Sequence, residues 1–470
     1  METDDSRAAL TEAAKPPWDE SRPDGDAAAA AAFATAHEAL EGMGLQAAAD
    51  RVRERIADQG ARFGGSEAPF TVDPVPRIIG RDEWARLERS LAQRARALDA
   101  FVADVHGERR AIADGIVPAA VVDACPFVVP DLVGLDDPPR VRVAVAGLDV
   151  VRDADGTLRV IEDNARVPSG MAYMLASRRA VEGTIGRPDD VRDLTEAVGP
   201  ALSTALRATT PVGAEPGAAV LLSDGPGNTA WWEHERLAEL MDVPLVRPED
   251  LRSRGDRLEL RDGGEPVSAV YRRTDVAALR DPDGGLSALG ELLLPALRAG
   301  TVGVMNGFET GVADDKAVYP YVGDLIRYFC GEPPLIADIP VHDLTDERAR
   351  DAVLDRAAEL VFKPRDGQGG HGVVLGPWAP PDELRRVIAA VRAKPSAWIA
   401  QDVVTLSTHP TVIDGRLEPR HVDLRPFLLA DGDGGWKLLP GALTRVALER
   451  GEMVVNSSRG GGSKDTWVLR

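Results

Sequence analysis

The spacing of apolar residues predicts two helical stretches near the start of the chain. Large apolar residues recur at helical intervals between residues 28 and about 62, and again between residues 81 and about 106. Each stretch therefore has an apolar face that we expect to pack into the core. Residues 1–27 are rich in Ala, Asp, Pro and Ser and contain few large apolar groups, so we expect a disordered tail there.

The apolar pattern becomes strand-like beyond residue 140. Residues 140–151 and 158–164 are β-rich runs separated by the turn sequence DADG, which predicts a β-hairpin. From residue 218 the sequence has the pattern of a strand, the glycine-containing turn GPGN (225–228), a helix and further short strands. This alternation indicates an open α/β domain between about 198 and 335.

The last third of the chain predicts mainly antiparallel sheet with a few helices. One helix is expected over residues 381–392. Closely spaced apolar runs with turns between them predict the strands LVFK, VVLG, AWIAQDVV, RHVDLRPFLL and WKLLP. The whole pattern predicts a multidomain protein of mixed α+β and α/β class.

Composition excludes several classes of protein. The 470 residues carry a formal net charge of -21, which argues against a general nucleic-acid binder. No window approaches about 18 consecutive apolar residues, and the acidic N-terminus lacks the apolar core of a secretory signal. We therefore expect no membrane span and a cytoplasmic location. Cys125 and Cys330 form no CxxC pair, as is usual for a reducing compartment.

Lysine is rare in this chain. Only six of the 55 Lys and Arg residues are Lys. A compact ammonium cannot be exchanged for a planar guanidinium where a point charge must meet a phosphate. Each lysine is therefore worth locating.

The predicted hairpin places three oxygen ligands on one face. With Asp and Gly at 155–156 as the centre of a two-residue type I′ turn, Asp149 lies directly opposite Glu162. Asn164 shares their face because strand side chains alternate with a period of two. Such ligands suit Mg²⁺, which completes its shell with water and phosphate oxygens. The alternative is an acidic, solvated hairpin face.

The residues after the hairpin favour the metal-site interpretation. Arg166, Pro168, Ser169 and Gly170 follow at once. A cation and the carboxylates are therefore expected in a single loop region.

A glycine-rich run provides a second candidate for phosphate binding. Lys363 ends an apolar run and opens KPRDGQGGHGV, in which Gly367, Gly369, Gly370 and Gly372 let backbone N–H groups approach an anion closely. The run differs from the Walker pattern GxxxxGK[ST] and leads into another strand. It predicts a β-hairpin lid over a triphosphate, with a mobile surface hairpin as the alternative.

Two further segments are candidates for the same site. Lys316 follows a glycine-containing loop at an expected helix start, where Asp314 and Asp315 suit the helix N-terminus by charge. Taken alone, Lys316 is also compatible with an ordinary surface lysine. The apolar strand from residue 397 ends in QDVV (401–404), which suits either a hinge that reads a purine edge or a plain core strand.

Taken together, the motifs resemble the circularly permuted ATP-grasp type 2 family, with glutathionylspermidine synthetase as a more distant relative. ATP-grasp enzymes ordinarily present lysine, glycine loop and hinge first and the Glu-x-Asn metal ligands last, whereas here Glu-x-Asn comes first. The resemblance covers most of the chain from about residue 30. It is carried by IEDNARVPSG, GVADDKAVYPYVGDLIRYFCGEPP, FKPRDGQGGHGV, RHVDLRPF and VNSSRGGGSKDTWVL.

The resemblance implies a circularly permuted ATP-grasp fold with an N-terminal helical region and a pre-ATP-grasp α/β domain. The expected divisions are a disordered tail (1–27), a helical N-terminal region (28–118), a permuted C-terminal ATP-grasp segment with the metal-ligand hairpin (119–197), the pre-ATP-grasp-like domain (198–335), and the glycine loop, hinge and antiparallel sheet (336–470).

The resemblance also implies ATP and Mg²⁺ as cofactors. The metal ligands would be Asp149, Glu162 and Asn164. The ATP-binding residues would be Lys316, Lys363, Gly367, Gln368, Gly369, Gly370, Gly372, Gln401, Asp402 and Val404. Three positions depart from the family pattern: Asp402 stands where Glu is commoner, Arg459 where Gln is usual, and Ala442 where a second Gly is expected.

The implied reaction is ADP-forming ligation of a carboxylate to an amine or peptide through an acyl phosphate. An arginine is expected beside the transferring phosphoryl group, and Arg425, Arg420 and Arg166 are the candidates. Candidate substrate contacts are Ser169, Asn228 in the GPGN turn, Arg272, Arg273, Asn456, Ser457 and Lys464. For Arg272 and Arg273 the alternative is a strand-end salt bridge, and for the C-terminal residues it is a mobile loop.

Two other functions remain open on the sequence. One is a non-catalytic ATP-binding scaffold, because members of this family are often encoded beside an α-helical companion domain protein and a transglutaminase-like protein. The other is a phosphotransferase or dinucleotide enzyme that uses GPGN. The latter is weakest because the segment lacks GxGxxG. No residue names the carboxylate or the amine.

Overall fold

The computed structural model describes residues 16–22, 25–63, 68–135, 139–342, 344–365, 367, 372–453, 455 and 461–470. The helices in these residues are α1 Ala27–Met43, α2 Leu45–Asp58, α3 Arg81–Val105, α4 Arg110–Ala113, α5 Ala119–Asp123, α6 Met171–Ile185, α7 Thr195–Ala208, α8 Trp231–Met241, α9 Ala288–Arg298, α10 Gly311–Asp314, α11 Val322–Cys330, α12 Glu347–Asp355 and α13 Pro381–Ala393.

The strands follow in chain order. They are β1 Val72–Ile79, β2 Val145–Arg152, β3 Leu158–Asn164, β4 Ala218–Leu222, β5 Leu245–Val246, β6 Leu251–Arg254, β7 Arg257–Leu260, β8 Pro266–Arg272, β9 Gly303–Met305, β10 Ala337–Asp338, β11 Val341–His342, β12 Leu360–Pro364, β13 Val374–Leu375, β14 Trp398–Asp402, β15 Thr408–Ile413, β16 Arg416–His421, β17 Arg425–Ala430, β18 Trp436–Val446 and β19 Gly462–Val468.

A seven-stranded sheet joins distant parts of the chain. Its order is β1-β19-β18-β17-β2-β3-β10; the two edge strands are parallel to their neighbours and the inner pairs are antiparallel. Helices α3, α6 and α7 pack against it, and Trp84, Met174 and Phe427 are fully buried in the shared core. The metal-ligand hairpin therefore sits inside a sheet whose other strands come mainly from the C-terminal third.

Two smaller β units come from the last third of the chain. Strands β11-β14-β12-β13 form an antiparallel sheet, and its core includes Val353 of α12, Val387 of α13 and Phe362 of β12. Strands β15 and β16 form a separate hairpin. The predicted antiparallel character of this third is confirmed.

The α/β unit has a six-stranded sheet. Strands β5, β4, β8 and β9 are mutually parallel, and the hairpin β6–β7 extends the sheet along β8. Helix α8 crosses from β4 to β5, so the GPGN turn lies at the carboxyl end of β4. The mainly antiparallel sheets and the partly parallel sheet, together with the helices, confirm the predicted mixed α+β and α/β class.

Two features near the start of the chain differ from expectation. The first helical stretch is two helices, because Gly44 with φ of +88° interrupts it. Strand β1 had no signal in the pattern, since Pro74 and Pro76 disfavour a strand; it is tolerated because β1 is an edge strand with an irregular register between Asp73 and Arg77.

The expected disordered tail is wrong for residues 16–22. The Glu20 N–H donates to the Thr408 carbonyl at 2.9 Å, and the buried Glu20 carboxylate pairs with Arg77 at 2.6 Å and Arg152 at 3.1 Å. These partners are remote in sequence, so composition could not reveal the contact. Residues 1–15 and 23–24 lie outside the described part. In the part that is described, no helix has the length and apolar character to cross a membrane.

Candidate functional site

A cavity of about 570 Å³ is lined by residues of both the seven-stranded and the four-stranded sheet. Ten of the predicted site residues line it. They are Asp149, Glu162, Asn164, Arg166, Ser169, Lys363, Gln401, Asp402, Val404 and Arg425. Lys316 lines a small adjoining space beside Glu162, Lys363 and Gln401.

The hairpin register is as predicted, but its turn is not. Asp149 lies directly opposite Glu162. The two-residue turn is wrong, because the Asp153 N–H donates to the Thr157 carbonyl at 3.0 Å and closes a longer loop. A register shift between Asp149 and Val150 absorbs the extra residue and restores the predicted pairing at the ligands.

Two arginines hold the Asp149 carboxylate in place. Arg425 donates to it through Nε at 2.8 Å and Nη2 at 2.9 Å, and Arg445 donates through Nη2 at 2.7 Å. Burial alone would raise the pKa of Asp149, but the two guanidiniums lower it to about 2. The Asn164 amide donates to the same carboxylate at 3.2 Å. Asp149 is therefore an ionised, oriented oxygen donor.

The donor set is compatible with Mg²⁺. Asp149, Glu162 and Asn164 offer hard oxygen donors, and Mg²⁺ typically takes only one or two carboxylates and keeps water and phosphate oxygens. Over the described ranges, no group of three or more His, Cys, Asp and Glu side chains forms a metal cage. These three residues would therefore suit a metal that arrives with a phosphate-bearing ligand.

The two candidate phosphate lysines meet beside the hairpin. Lys316 Nζ lies 2.8 Å from Glu162 Oε1 and donates to the Gly367 carbonyl at 2.6 Å. Lys363 is buried, and this burial lowers the pKa of its ammonium to about 8. The site thus presents two ammonium groups and two carboxylates to one another.

The local structure around Lys316 differs from the prediction. Helix α10 ends at Asp314, so Lys316 does not begin a helix. The Asp314 carboxylate instead accepts the Arg166 N–H at 3.0 Å, and Asp315 binds Arg365 at 2.6 Å. The two acids therefore fix neighbouring loops rather than a helix N-terminus.

The glycine run connects two paired strands. Val361 pairs with Leu375 in the antiparallel ladder of β12 and β13, so the predicted hairpin arrangement is confirmed. Gly372 has φ of +73°, a conformation that favours glycine. The predicted Gln368, Gly369 and Gly370 lie outside the described residues, and the lid role stays a prediction.

The expected hinge lies along the end of β14. Gln401 is buried, and within the described chain its Nε2 has no hydrogen-bond partner. The Asp402 carboxylate accepts a hydrogen bond from His342 Nε2 at 2.7 Å. With Val404 they line the cavity, so a side chain with an unpaired, buried donor lies beside the space expected for a base.

Arg420 and Lys464 are among the predicted site residues that do not line this cavity. Arg420 donates to the Leu448 carbonyl at 2.9 Å and pairs with Glu418 at 2.7 Å. Lys464 is fully buried in β19 and pairs with Asp73. Both are corrections. Arg420, expected beside the transferring phosphoryl group, and Lys464, expected to contact substrate, are each bound to other protein groups. Asn456 and Ser457 lie outside the described residues.

The predicted substrate arginines support a loop instead. The four donors of Arg272 that are engaged bind only carbonyl oxygens, including Asn306 at 2.6 Å and Gly307 at 2.9 Å. Arg273 donates to the Pro168 carbonyl at 2.8 Å. Within the described residues Arg272 therefore forms no strand-end salt bridge, and its donors are not directed to the predicted substrate position. They hold the loop that follows the candidate metal ligands.

The remaining substrate candidates lie at the far end of the cavity. Ser169 lines the cavity and donates to the buried Glu233 carboxylate. Asn228 lies in the GPGN turn, where its Oδ1 accepts the Ala230 N–H at 2.9 Å. Ala230 lines the cavity, so this turn borders the space without placing Asn228 itself in the lining.

Three residues that support the site were not among those predicted from the sequence: Arg445, Asp314 and Glu233. No local sequence pattern indicates Arg445. It donates to both Asp149 and Asp423, and Asp149 lies far from it in the chain. Asp314 lies within the motif GVADDKAVYPYVGDLIRYFCGEPP, so the sequence did contain a signal for it. Glu233 sits in an ordinary amphipathic helix, and only the packing of α8 against α6 reveals it.

Paired lysines, a glycine hairpin and a Glu-x-Asn metal face around one inter-sheet cavity define an ATP-grasp type of site. The chain belongs to the circularly permuted ATP-grasp type 2 family, whose sequence profile matches residues 76–447. The resemblance noted in the motifs is thereby confirmed. As a member, the protein is an ATP-dependent ligase of the class that forms carbon–nitrogen bonds, with an unknown substrate.

Similar proteins occur in several bacteria. An uncharacterised protein of Mycobacterium tuberculosis is 43% identical over 437 residues, which cover 90% of this chain and 78% of that one. A Frankia alni protein with the provisional name glutamate–cysteine ligase 2-3 is 45% identical over 92% of this chain, which spans 51% of that protein.

A solved structure shares the fold. A glutathione synthetase-like effector from Globodera pallida, in its apo form, superposes with a TM-score of 0.57 over 90% of this chain and 97% of that one. At 12% sequence identity, this similarity concerns the fold alone.

Proposed function

We propose that the protein is a Mg²⁺- and ATP-dependent, ADP-forming ligase that joins a carboxylate to an amine through an acyl phosphate. The observation that carries this proposal is the meeting of Lys316, Lys363 and the Asp149–Glu162 pair around one cavity. Phosphoryl transfer needs mainly positioning and charge neutralisation. These residues supply both.

Asp149, Glu162 and Asn164 would hold the metal, which when bound would neutralise phosphate charge. Lys316 and Lys363 would lie against the remaining phosphate oxygens, and the buried Gln401 would offer its unpaired Nε2 to the base. Because Lys316 is held by Glu162 and the Gly367 carbonyl, nucleotide binding would exchange these contacts for phosphate contacts.

Arg425 is the best-placed arginine for the transferring phosphoryl group. It lines the cavity and is fixed against Asp149, whereas Arg420 lies elsewhere and Arg166 is bound to Asp314. A substrate carboxylate oxygen would attack the γ-phosphorus while the bridging P–O bond to ADP breaks. The amine nitrogen would then attack the acyl carbon, phosphate would leave, and the amine would lose a proton.

The test is ADP release with Mg·ATP over a set of carboxylates, with hydroxylamine trapping any acyl phosphate as a hydroxamate. In this assay Glu162→Gln should lose on the order of 100-fold in turnover, because the ligand charge is removed, while its melting temperature stays close to wild type. The exposed Glu359→Gln is the matched control. Wild-type turnover in Glu162→Gln would refute the metal assignment.

The same assay separates the ligase from the scaffold alternative. A scaffold would bind ATP without forming hydroxamate. The provisional name of the Frankia relative adds glutamate and cysteine to the substrates to be tested. The cytoplasmic location, and partnership with an α-helical companion domain protein or a transglutaminase-like protein, stay predictions.

A further inference from the structure

Three aromatic rings form one part of the cavity lining. Phe63, Phe70 and Tyr173 line it, and the Tyr173 ring centre lies 5.8 Å from that of Phe63 and 4.7 Å from that of Phe70. Thr229 and Asp275 also line the cavity. We call these five residues the aromatic end of the cavity, whose lining also includes the candidate metal ligands.

The basic residues around this end are already engaged. Arg272 donates to backbone carbonyls, and Arg273 to the Pro168 carbonyl at 2.8 Å. Arg166 is bound by Asp314 at 3.0 Å. The Arg273 Nε has no partner in the described residues, but it is buried and Arg273 does not line the cavity. A carboxylate bound in the cavity would therefore have to displace an existing partner to gain a guanidinium contact.

The N-terminus of helix α6, beside these residues, already has an anionic partner within the protein. Helix α6 begins at Met171 beside the cavity, and such a position ordinarily attracts an anion. Here the fully buried Glu233 carboxylate accepts the Gly170 N–H at 2.8 Å and the Ala172 N–H at 3.1 Å, and Ser169 donates to it as well. The protein supplies its own anion where a substrate carboxylate would otherwise bind.

The one charged residue among these five is acidic. The Asp275 side chain is 45% exposed, and its Oδ2 lies 3.9 Å from Arg166 Nη1, at the outer limit of an ion pair. Ammonium groups are attracted to aromatic faces within about 6 Å and to carboxylates. The geometry thus favours a cation with an apolar body over an anion.

We propose that the aromatic end binds the amine substrate, and that this amine carries an aromatic or other apolar body and no carboxylate beside its nitrogen. The inference rests on the proposed ligase function and gives its second substrate a chemical class. An ordinary α-amino acid would bring its carboxylate against Glu233 and Asp275, whereas an arylalkylamine would place its ring against Phe63 and Tyr173.

The test is calorimetric titration of the full chain, first with Mg²⁺ and a non-hydrolysable ATP analogue and then with three amines. Comparison of phenethylamine with phenylalanine measures the effect of the carboxylate. Comparison of phenethylamine with butylamine measures the effect of the ring. We expect phenethylamine to bind at least about fivefold more tightly than either of the others. Equal or tighter binding of phenylalanine, or no binding of phenethylamine beside a bound nucleotide, would overturn the inference.

Two variants locate the effect. Phe63→Leu removes a half-buried ring, and Asp275→Asn removes charge while keeping the hydrogen bond with the Ala277 N–H. Each should weaken phenethylamine about five- to tenfold and leave nucleotide affinity unchanged; unchanged amine affinity in both would count against this location. Failure of the nucleotide analogue itself to bind would instead overturn the proposed function.

Discussion

At the scale of single residues, Lys363 shows why the identity of a cation matters. It lies in β12 with its Cα opposite Ile399, is buried, and faces the cavity between two strands. A guanidinium is larger and planar, so it cannot replace the ammonium in that space without displacing its neighbours.

We therefore expect Lys363→Arg to weaken ATP binding by about tenfold or more, although the charge is retained. Titration with a fluorescent ATP analogue measures this. Lys437→Arg, on an exposed position of β18, is the matched control and should bind as wild type does. Equal affinity in the two variants would argue against phosphate contact by Lys363.

At the scale of elements, one buried ion pair joins the two lysine-bearing segments. Arg365, two residues after Lys363, binds Asp315, next to Lys316, through Nε at 2.8 Å and Nη2 at 2.6 Å. It also donates to the Val121 carbonyl at 2.5 Å. The pair fixes β12 and the base of the glycine run against the segment after α10.

Arg365→Lys should lower the free energy of unfolding by roughly 1–3 kcal/mol, because a single ammonium cannot make the two-pronged contact. It should also reduce ATP affinity, since the two lysines lose their common support. Urea unfolding and nucleotide titration measure the two effects. Arg385→Lys, in an exposed pair with Asp382, should change stability by less than about 0.5 kcal/mol; a similar loss there would contradict the argument.

At the scale of the whole molecule, buried neutral histidines make stability depend on pH. Burial, assisted by Arg273, lowers the pKa of His234 to about 3, and its Nδ1 lies 2.7 Å from the Ser223 hydroxyl. Burial also lowers the pKa of His409 and His421. The unfolded chain then binds more protons than the native state below pH about 6.5.

Stability should therefore fall as the pH drops from about 6.5 toward 3. For His234 alone the loss between pH 7 and pH 5 is about 2 kcal/mol. His234→Asn keeps a hydrogen-bonding group near Ser223 but does not titrate, so its unfolding free energy should fall by that much less over the same interval. Parallel pH profiles from urea unfolding of the two proteins would contradict the assignment.

Much of the candidate site was predictable because its chemistry is local in sequence. Asp149, Glu162 and Asn164 belong to one hairpin, and strand alternation places them on one face even though the predicted turn was wrong. Lys363 and its glycines belong to one connection between paired strands. By contrast, Arg420 and Lys464 were assigned from motif position, and only their ion pairs with Glu418 and the buried Asp73 show why they are unavailable.

The sequence by itself determined the mixed fold class, the family, and the hairpin and loop that contain most of the candidate metal and phosphate ligands, because periodicity and short motifs act over a few residues. The tertiary structure decided which charges remain available. Burial drives each guanidinium or carboxylate to find a partner, wherever in the chain that partner lies. Arg445 therefore binds Asp149, and Glu20, from the expected tail, pairs with the buried Arg77. Glu233 likewise accepts backbone N–H groups at the N-terminus of α6.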